Sequence, residues 1–422
     1  MNPGEFPVER LRRRFPALRA AGTDVFLDNA AGAQVPDGVL EAVRCHLIER
    51  NVQRGGRYPR SLAVDAVISR ARSHVAAFVN ARSPQEIAFG MNATSFMRMV
   101  SLAIGQMLTE RDEIVVTDLD HEANVATWLA LERSGAKVRW WHMRQDGCLH
   151  PQDLRSVLGP RTRMVACTLT SNALGNIVDV RAAADLAHAA GAEIFIDAVH
   201  YGPHGVIDVQ ALDCDYLVCS GYKIFSPHMG FLWGRHEALL RLPAFREDFI
   251  PDEPPGKLEA GTFIYENVAG MAAAIDYLAE LGRAVAGREG PSGETSLRED
   301  CRTAMCAIRE YEQSLSRELL RVLRDCGAEI HGLQSDEQVS ARVPTFCFNL
   351  PGIPPAKVTE AAAAAGIAIR DGHMYAPRLM RRLGLAPESG AVRVSAVHYN
   401  TLEEVRHLGA LLSRLRPEEA RT

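Results

Sequence analysis

Lys223 stands in a setting that is uncommon for a lysine. It closes the motif Ser220-Gly221-Tyr222-Lys223, directly after residues 215–219, a largely apolar segment with the length of a buried strand. Ligands of open α/β sheets bind outside the carboxyl ends of the strands, so a lysine there is placed for Schiff-base chemistry with a carbonyl cofactor. Most lysines lie on solvated faces instead, and this interpretation therefore depends on the strand.

Asp197 ends another largely apolar segment, residues 193–196, where a carboxylate is costly unless it has a partner. One interpretation is a structural or capping aspartate. The other is a partner for the protonated pyridine nitrogen of pyridoxal phosphate (PLP), which needs that proton to act as an electron sink. The 26 positions from Asp197 to Lys223 accommodate one crossover and one strand, so both groups could reach the same cleft.

Asn92-Ala93-Thr94-Ser95 follows the strand-like residues 87–90 and opens a helical pattern over residues 96–107. Thr94 and Ser95 are suited to capping that helix. The same junction offers backbone N–H groups and a hydroxyl to a phosphate group. Neither GxGxxG nor GxxxxGK[ST] occurs in the chain, so dinucleotide and nucleoside triphosphate sites lack their main sequence support.

Two other residues have side chains suited to a ligand site. His121 follows the strand-like residues 113–117, where an imidazole is either structural or available for stacking on a cofactor ring and for proton transfer. No HExxH or CxxC motif supports a metal site there. Arg393 lies among apolar residues 392–397 and needs an anionic partner, either a structural carboxylate or a substrate carboxylate.

Short apolar strands that alternate with helices must position these residues. Repeated β-α units predict an α/β fold with a mainly parallel sheet covered on both sides. The C-terminal third changes to an α+β pattern, with a long helix over residues 304–327. The predicted organisation is an N-terminal arm (1–23), a large domain (24–284), a junction loop (285–303) and a small domain (304–422). Predicted strands of the large domain are residues 87–90, 113–117, 138–143, 163–169, 193–197, 215–220 and 230–233.

Composition narrows the class of protein. The 422 residues carry a net charge of −5, with 47 basic against 52 acidic residues, which argues against binding to a nucleic-acid backbone. Nine cysteines are scattered along the chain and indicate reduced thiols rather than a disulfide framework. Apolar runs are too short to span a bilayer, and the first residues lack a signal-peptide pattern. We therefore predict a cytoplasmic enzyme without a membrane partner.

Taken together, these stretches resemble the fold-type-I PLP enzymes of the class V aminotransferase group, and most closely the group II cysteine desulfurases and selenocysteine lyases. The resemblance runs from residue 26 to residue 401. It implies a large PLP-binding domain with a mainly parallel seven-stranded sheet and a smaller α+β C-terminal domain. Besides the motifs above, it is carried by Phe26-Leu27-Asp28-Asn29-Ala30-Ala31, His121-Glu122-Ala123-Asn124, Ser171-Asn172-Ala173-Leu174-Gly175, Asp197-Ala198-Val199-His200, Glu259-Ala260-Gly261-Thr262 and Arg370-Asp371-Gly372-His373.

The resemblance also implies roles for single residues. Lys223 would hold PLP as the internal aldimine and shuttle the proton, Asp197 would pair with the pyridinium nitrogen, and His121 would stack on the ring as a second catalytic residue. The implied phosphate site consists of Thr94, Ser220 and Tyr222, with Thr262 reaching in from the second subunit of a homodimer. Ala93 and Ser95 are further implied cofactor-binding residues. The implied substrate site consists of Asn172, Arg370, Tyr375 and Arg393.

Three positions depart from the desulfurase pattern. His200 stands where desulfurases carry the glutamine that contacts the phenolic oxygen of PLP, and Tyr222 stands where they carry histidine. Tyr375, in Arg370-Asp371-Gly372-His373-Met374-Tyr375-Ala376, aligns with their nucleophilic cysteine. A phenol cannot accept sulfane sulfur as a persulfide. The sequence therefore argues against persulfide-forming desulfuration.

Several reactions at Cα of an amino-acid substrate remain open, because the fold does not decide which bond PLP labilises. The first is β-elimination from a cysteine-type substrate or S-conjugate, which needs Lys223 as base and no cysteine. The second is transamination, epimerisation, or decarboxylation coupled to oxidative deamination. A third reaction is desulfuration through another thiol. A non-catalytic protein of the same fold is the alternative to an enzyme. Desulfurase-like enzymes of natural-product tailoring resemble enzymes of the first two kinds, so a role in such tailoring is one expectation.

Overall fold

The computed structural model describes residues 6–20, 25–288 and 296–415. Its strands are β1 (Val25–Phe26), β2 (Ile87–Gly90), β3 (Glu113–Thr117), β4 (Lys137–Trp141), β5 (Thr162–Thr168), β6 (Glu193–Asp197), β7 (Tyr216–Ser220), β8 (Gly230–Gly234), β9 (Glu329–His331), β10 (Thr345–Asn349), β11 (Ile367–Ala368), β12 (Arg370–Gly372) and β13 (Ala391–Ser395). Its helices are α1 (Val8–Arg12), α2 (Pro16–Ala20), α3 (Asp37–Glu49), α4 (Pro59–Val79), α5 (Ala93–Gln106), α6 (Ala123–Leu129), α7 (Pro151–Val157), α8 (Val180–Ala189), α9 (Val209–Leu212), α10 (His236–Arg241), α11 (Tyr265–Val285), α12 (Leu297–Asp325), α13 (Pro355–Ala364), α14 (Pro377–Arg382) and α15 (Leu402–Leu415).

The large sheet has seven strands in the order β2-β8-β7-β6-β5-β3-β4, which confirms the predicted α/β architecture. Strand β8 runs antiparallel to both of its neighbours, and the remaining pairs are parallel. Every residue of β3, β7 and β8 is buried, as expected for strands covered on both faces. The predicted strands agree with the observed ones to within about two residues.

The direction of these strands gathers the candidate residues at one edge of the sheet. Asp197 is the last residue of β6, and Lys223 follows β7, the parallel neighbour of β6. Asn92 follows β2, and His121 follows β3. Because β2 and β7 both run antiparallel to β8, they share one direction, and all four residues come together at the carboxyl ends.

The C-terminal part forms a second, antiparallel sheet with the order β12-β13-β10-β9. Its long helix α12 begins at Leu297 rather than at residue 304, because the Ser296 side chain accepts a hydrogen bond from the Glu299 N–H and caps it. The predicted junction loop is therefore wrong for residues 297–303, while residues 289–295 lie outside the described residues. The predicted domain boundaries stay predictions.

The described part of the N-terminal arm packs against C-terminal elements. The Phe6 ring stacks on Tyr311 at 4.5 Å, and Arg12 forms an ion pair with Glu404 at 2.8 Å. Strand β1, which follows the predicted arm, pairs in parallel with β11. The chain leaving β1 bridges to β13, which brings Asp28 beside Ser395. Within the described residues, no helix is long and apolar enough to cross a membrane.

Candidate active site

A cavity of about 700 Å³ lies at the carboxyl ends of the large sheet, a size typical of small-molecule sites. Ser95 and Thr262 do not line it. The Ser95 N–H donates to Asn92 Oδ1 at 2.9 Å, and the exposed Thr262 accepts a hydrogen bond from Gln53 at 2.8 Å. The predicted residues that do line it are Ala93, Thr94, His121, Asn172, Asp197, His200, Ser220, Tyr222, Lys223, Arg370, Tyr375 and Arg393.

Lys223 ends a short 3-10 turn after β7 and is only 5% exposed. Burial, together with the nearby Arg393, lowers the pKa of its amine to about 8, so much of it is neutral in mildly alkaline solution. The chain has four lysines, and the other three pair with carboxylates. Lys223 is the one placed in the cavity, which makes its neutral amine a candidate nucleophile and base.

Asp197 is buried at the end of β6, where its Oδ1 accepts a hydrogen bond from the Val199 N–H at 2.9 Å. Burial raises the pKa of this carboxyl to about 6, although the Val199 contact and the Lys223 charge act in the opposite direction. A cation that binds in the cavity would favour the ionised form. The carboxylate is therefore suited to hold a proton on a ligand nitrogen.

The N-terminus of α5 lines the cavity. Asn92, rather than the predicted Thr94 or Ser95, caps the helix, which begins three residues earlier than its apolar pattern indicated. The Ala93 N–H donates to Ser220 Oγ at 3.1 Å and joins the helix to the end of β7. A Cβ atom on Gly230 would lie 2.5 Å from the Asn92 carbonyl carbon, so glycine permits this close approach. The arrangement suits an anion.

Two rings on the cavity wall stay uncharged near neutral pH. Burial lowers the pKa of His121 to about 4, with Lys223 and Arg393 adding to the effect, and its Nδ1 accepts a hydrogen bond from the Ala123 N–H at 3.1 Å. Tyr222 stacks on His228 with ring centroids 5.4 Å apart, and burial raises the pKa of its phenol to about 12. His121 can therefore stack on a ligand ring without adding charge.

Arg393 has a structural carboxylate, one of the two anionic partners that the sequence left open. Its Nη2 lies 3.2 Å from Asp28 Oδ1, and its Nη1 donates to the Asn172 carbonyl at 2.9 Å. Asp28 also binds Arg370 at 2.9 Å, so one carboxylate bridges two arginines. Arg393 Nε and Asn172 Oδ1 are buried without a hydrogen-bond partner among the described residues. Sequence reasoning missed the role of Asp28, although the motif that contains it was recognised.

The loop containing Tyr375 is tightly held. Met374 and Tyr375 have φ values of 52° and 58°, left-handed conformations that are strained for residues other than glycine. Asn172 Nδ2 donates to the Met374 carbonyl at 2.7 Å, and the Glu122 N–H donates to the Tyr375 carbonyl at 2.8 Å. The Tyr375 ring is 56% exposed and lies 5.7 Å from His121. No cysteine occurs among the described residues that line the cavity.

Comparison with known proteins identifies relatives across almost the whole chain. The model of the "Aminotransferase class-V" family matches residues 25–300 and 297–408. The aminotransferase-like protein FGM3 of Gibberella zeae is 34% identical over 96% of this chain and 97% of its own length. A probable cysteine desulfurase of Synechocystis sp. is 33% identical over 94% of this chain and 92% of its own.

Solved structures show the same fold. The apo cysteine desulfurase of Thermococcus onnurineus superposes with a TM-score of 0.85 at 26% identity, covering 97% of this chain and 98% of that one. The cysteine desulfurase CsdA of Escherichia coli gives a TM-score of 0.80 at 27% identity, with the same coverage of both chains. These neighbours confirm the predicted fold-type-I architecture.

Proposed function

Because the chain belongs to the class V aminotransferase family and is a PLP-dependent enzyme, we propose that it is a lyase that breaks a carbon–sulfur bond. The proposed reaction is β-elimination from a cysteine-type amino acid or one of its S-conjugates. One observation carries the proposal: the cavity combines a buried lysine with a tyrosine-bearing loop and, among its described lining residues, no cysteine.

The cavity has features that fit PLP. The N-terminus of α5 suits its phosphate, and Asp197 suits its ring nitrogen. Unpaired buried polar atoms are rare in proteins, yet several cavity residues carry a buried polar atom that has no hydrogen-bond partner within the described part of the chain. This is expected where a ligand supplies the missing partners. These atoms are Thr170 Oγ1, Asn172 Oδ1, His200 Nδ1 and Arg393 Nε.

Each residue then has a defined task. Bound PLP withdraws electrons from Cα of the amino acid. Lys223, with its pKa near 8, takes the proton from Cα, and Asp197 holds a proton on the ring nitrogen. Arg393 and Asn172 orient the substrate carboxylate. The sulfur substituent leaves from Cβ as a thiol or sulfide, and addition of water to the remainder yields pyruvate and ammonia.

We propose a homodimer in which Thr262 completes the phosphate site of the neighbouring subunit. Thr262 is exposed and lies outside the cavity of its own chain. Phe245 and Phe249, in the segment before it, are 102% and 81% exposed, an apolar surface typical of an interface. Sedimentation of the holoenzyme should give about twice 46.2 kDa. A fully active monomer would contradict this arrangement.

A second candidate is chemistry without a leaving group at Cβ, such as transamination, epimerisation, or decarboxylation coupled to oxidative deamination. The similarity to FGM3, an aminotransferase-like protein, favours it. The same lysine and arginine would serve such a reaction. The relatives described as cysteine desulfurases favour sulfur-containing substrates instead.

An assay on matched substrates separates the two candidates. Holoenzyme is incubated with L-cysteine, S-alkyl and S-aryl cysteines, and their sulfur-free isosteres, and pyruvate, thiol, ammonia, CO₂ and H₂O₂ are measured. Elimination should release thiol and pyruvate in equal amounts, and only from the sulfur compounds. An oxo acid that keeps its side chain, an inverted amino acid, or CO₂ from the isosteres would support the second candidate and overturn the first.

Replacing Arg393 with alanine should raise KM about 10- to 150-fold, because a charged hydrogen bond to the substrate carboxylate contributes about 1.5–3 kcal/mol. Arg393→Lys should recover part of the loss, since an ammonium keeps the charge but not the paired geometry. Steady-state kinetics on both variants, with thermal unfolding as a control, tests this role. An unchanged KM with lower stability would show that Arg393 serves only its pair with Asp28.

A further inference from the structure

Thr345 does not line the cavity, yet its hydroxyl contacts a residue that does. It begins β10, is fully buried, and places Oγ1 at 3.0 Å from Nε2 of His200. We infer that this hydroxyl sets the tautomer of His200, so that Nδ1 carries the ring proton and His200 serves the bound cofactor as a neutral hydrogen-bond donor. The inference depends on PLP binding and not on which substrate bond is broken.

The direction of this hydrogen bond follows from the groups available. A buried hydroxyl proton needs an acceptor. Among the described residues, the His200 ring nitrogen is the hydrogen-bond partner of the Thr345 hydroxyl. Thr345 therefore donates, and Nε2 accepts with its lone pair. Because a neutral imidazole carries one N–H, that N–H is at Nδ1.

The backbone around Thr345 keeps its hydroxyl in place. The Thr345 N–H donates to the Val343 carbonyl at 2.7 Å, and its carbonyl accepts a hydrogen bond from Arg342 Nη2 at 2.6 Å. Arg342 is fully buried and also donates to the Leu174 carbonyl at 2.9 Å. A β-branched side chain on a backbone held this way has little freedom at χ1. His200 thus contacts a rigid donor.

The surroundings of His200 keep its ring neutral. Burial lowers its pKa well below the usual range, and the nearby charges of Lys223, His204 and Arg393 lower it further. The neighbouring His204 is turned toward Glu312, with Nδ1 and Oε2 2.8 Å apart. Nδ1 of His200 is buried without a partner among the described residues, so an acceptor atom of the cofactor would satisfy it.

The matched variants Thr345→Val and Thr345→Ser test this inference. Valine keeps the shape but removes the donor, and serine keeps the donor. We expect Thr345→Val to weaken PLP binding about three- to tenfold and to shift the visible absorption band of the holoenzyme, because one hydrogen bond is lost. Thr345→Ser should stay within about twofold of wild type. The readouts are the PLP dissociation constant, from equilibrium dialysis, and the absorption spectrum.

A double-mutant cycle with His200→Gln separates a positioning role from packing. A glutamine amide can present its N–H without help from Thr345. In that background, Thr345→Val should change the dissociation constant by less than about twofold. An equal loss in both backgrounds, or a Thr345→Ser variant as weak as Thr345→Val, would overturn the inference. A chain that binds PLP but lacks lyase activity would refute the proposed function and leave this measurement intact.

Discussion

Changing Lys223 to alanine is expected to lower kcat by about 10³-fold or more and to leave the purified protein colourless. The residue is buried in the cavity, and its depressed pKa supplies neutral amine near physiological pH. Lys223 is the base proposed for Cα and the proposed point of covalent attachment for PLP. Losing it removes both functions at once, which no other single substitution in the cavity would do.

The attachment point can be mapped without ambiguity because the chain has only four lysines. Borohydride treatment of the wild type, followed by digestion and mass spectrometry, should place the label on Lys223 alone. Lys357→Ala is a matched control, since Lys357 is exposed and pairs with Glu360 at 2.7 Å. A label on Lys137, Lys257 or Lys357, or an active Lys223→Ala variant, would refute the assignment.

The elements that could be predicted from the sequence are those set by local pattern. Buried strands such as β3, β6 and β8 are short apolar runs. An uninterrupted apolar run of this length can be identified from the sequence alone, without knowledge of tertiary contacts. The helix starts predicted from the sequence are less accurate than the predicted strands. Asn92 starts α5 and Ser296 starts α12 through single side-chain caps, and both lie upstream of the apolar residues that reveal the helix.

The cavity wall depends on contacts between distant parts of the chain. Asp28 reaches Arg393 across 365 positions, and Thr345 reaches His200 across 145. No local pattern marks an aspartate or a threonine for such a contact. Most residues of the cavity wall could be predicted from the family resemblance, because a shared family motif implies which distant parts of the chain come together. It did not indicate which of the two arginines Asp28 binds, and the structure shows that it binds both.

The second large effect concerns sulfur, since we expect no persulfide to form on this protein during turnover. All nine cysteines lie in described residues, and none lines the cavity. Cys347, the closest in sequence to the Tyr375 loop, is fully buried in β10, where burial raises the pKa of its thiol to about 12. A strand holds the thiol rigidly, and the high pKa suppresses the reactive thiolate. Sulfur should therefore leave on its organic group or as free sulfide.

Mass spectrometry of protein incubated with L-cysteine checks this, with Tyr375→Cys as a gain-of-function control. Position 375 is exposed and lines the cavity, 5.7 Å from His121 between ring centroids. A thiolate there could attack Sγ of the substrate cysteine while the Sγ–Cβ bond breaks, and the carbon half would keep the electron pair, take up a proton and leave as alanine. The variant should gain one sulfur atom on the introduced thiol, and an added thiol acceptor should remove that sulfur atom. The wild type should gain none. A one-sulfur adduct on a wild-type cysteine, formed at the rate of turnover and passed to an acceptor, would show a desulfurase. Because the two proteins differ only at this loop, that comparison assigns the missing persulfide step to Tyr375 rather than to the lysine or the arginine.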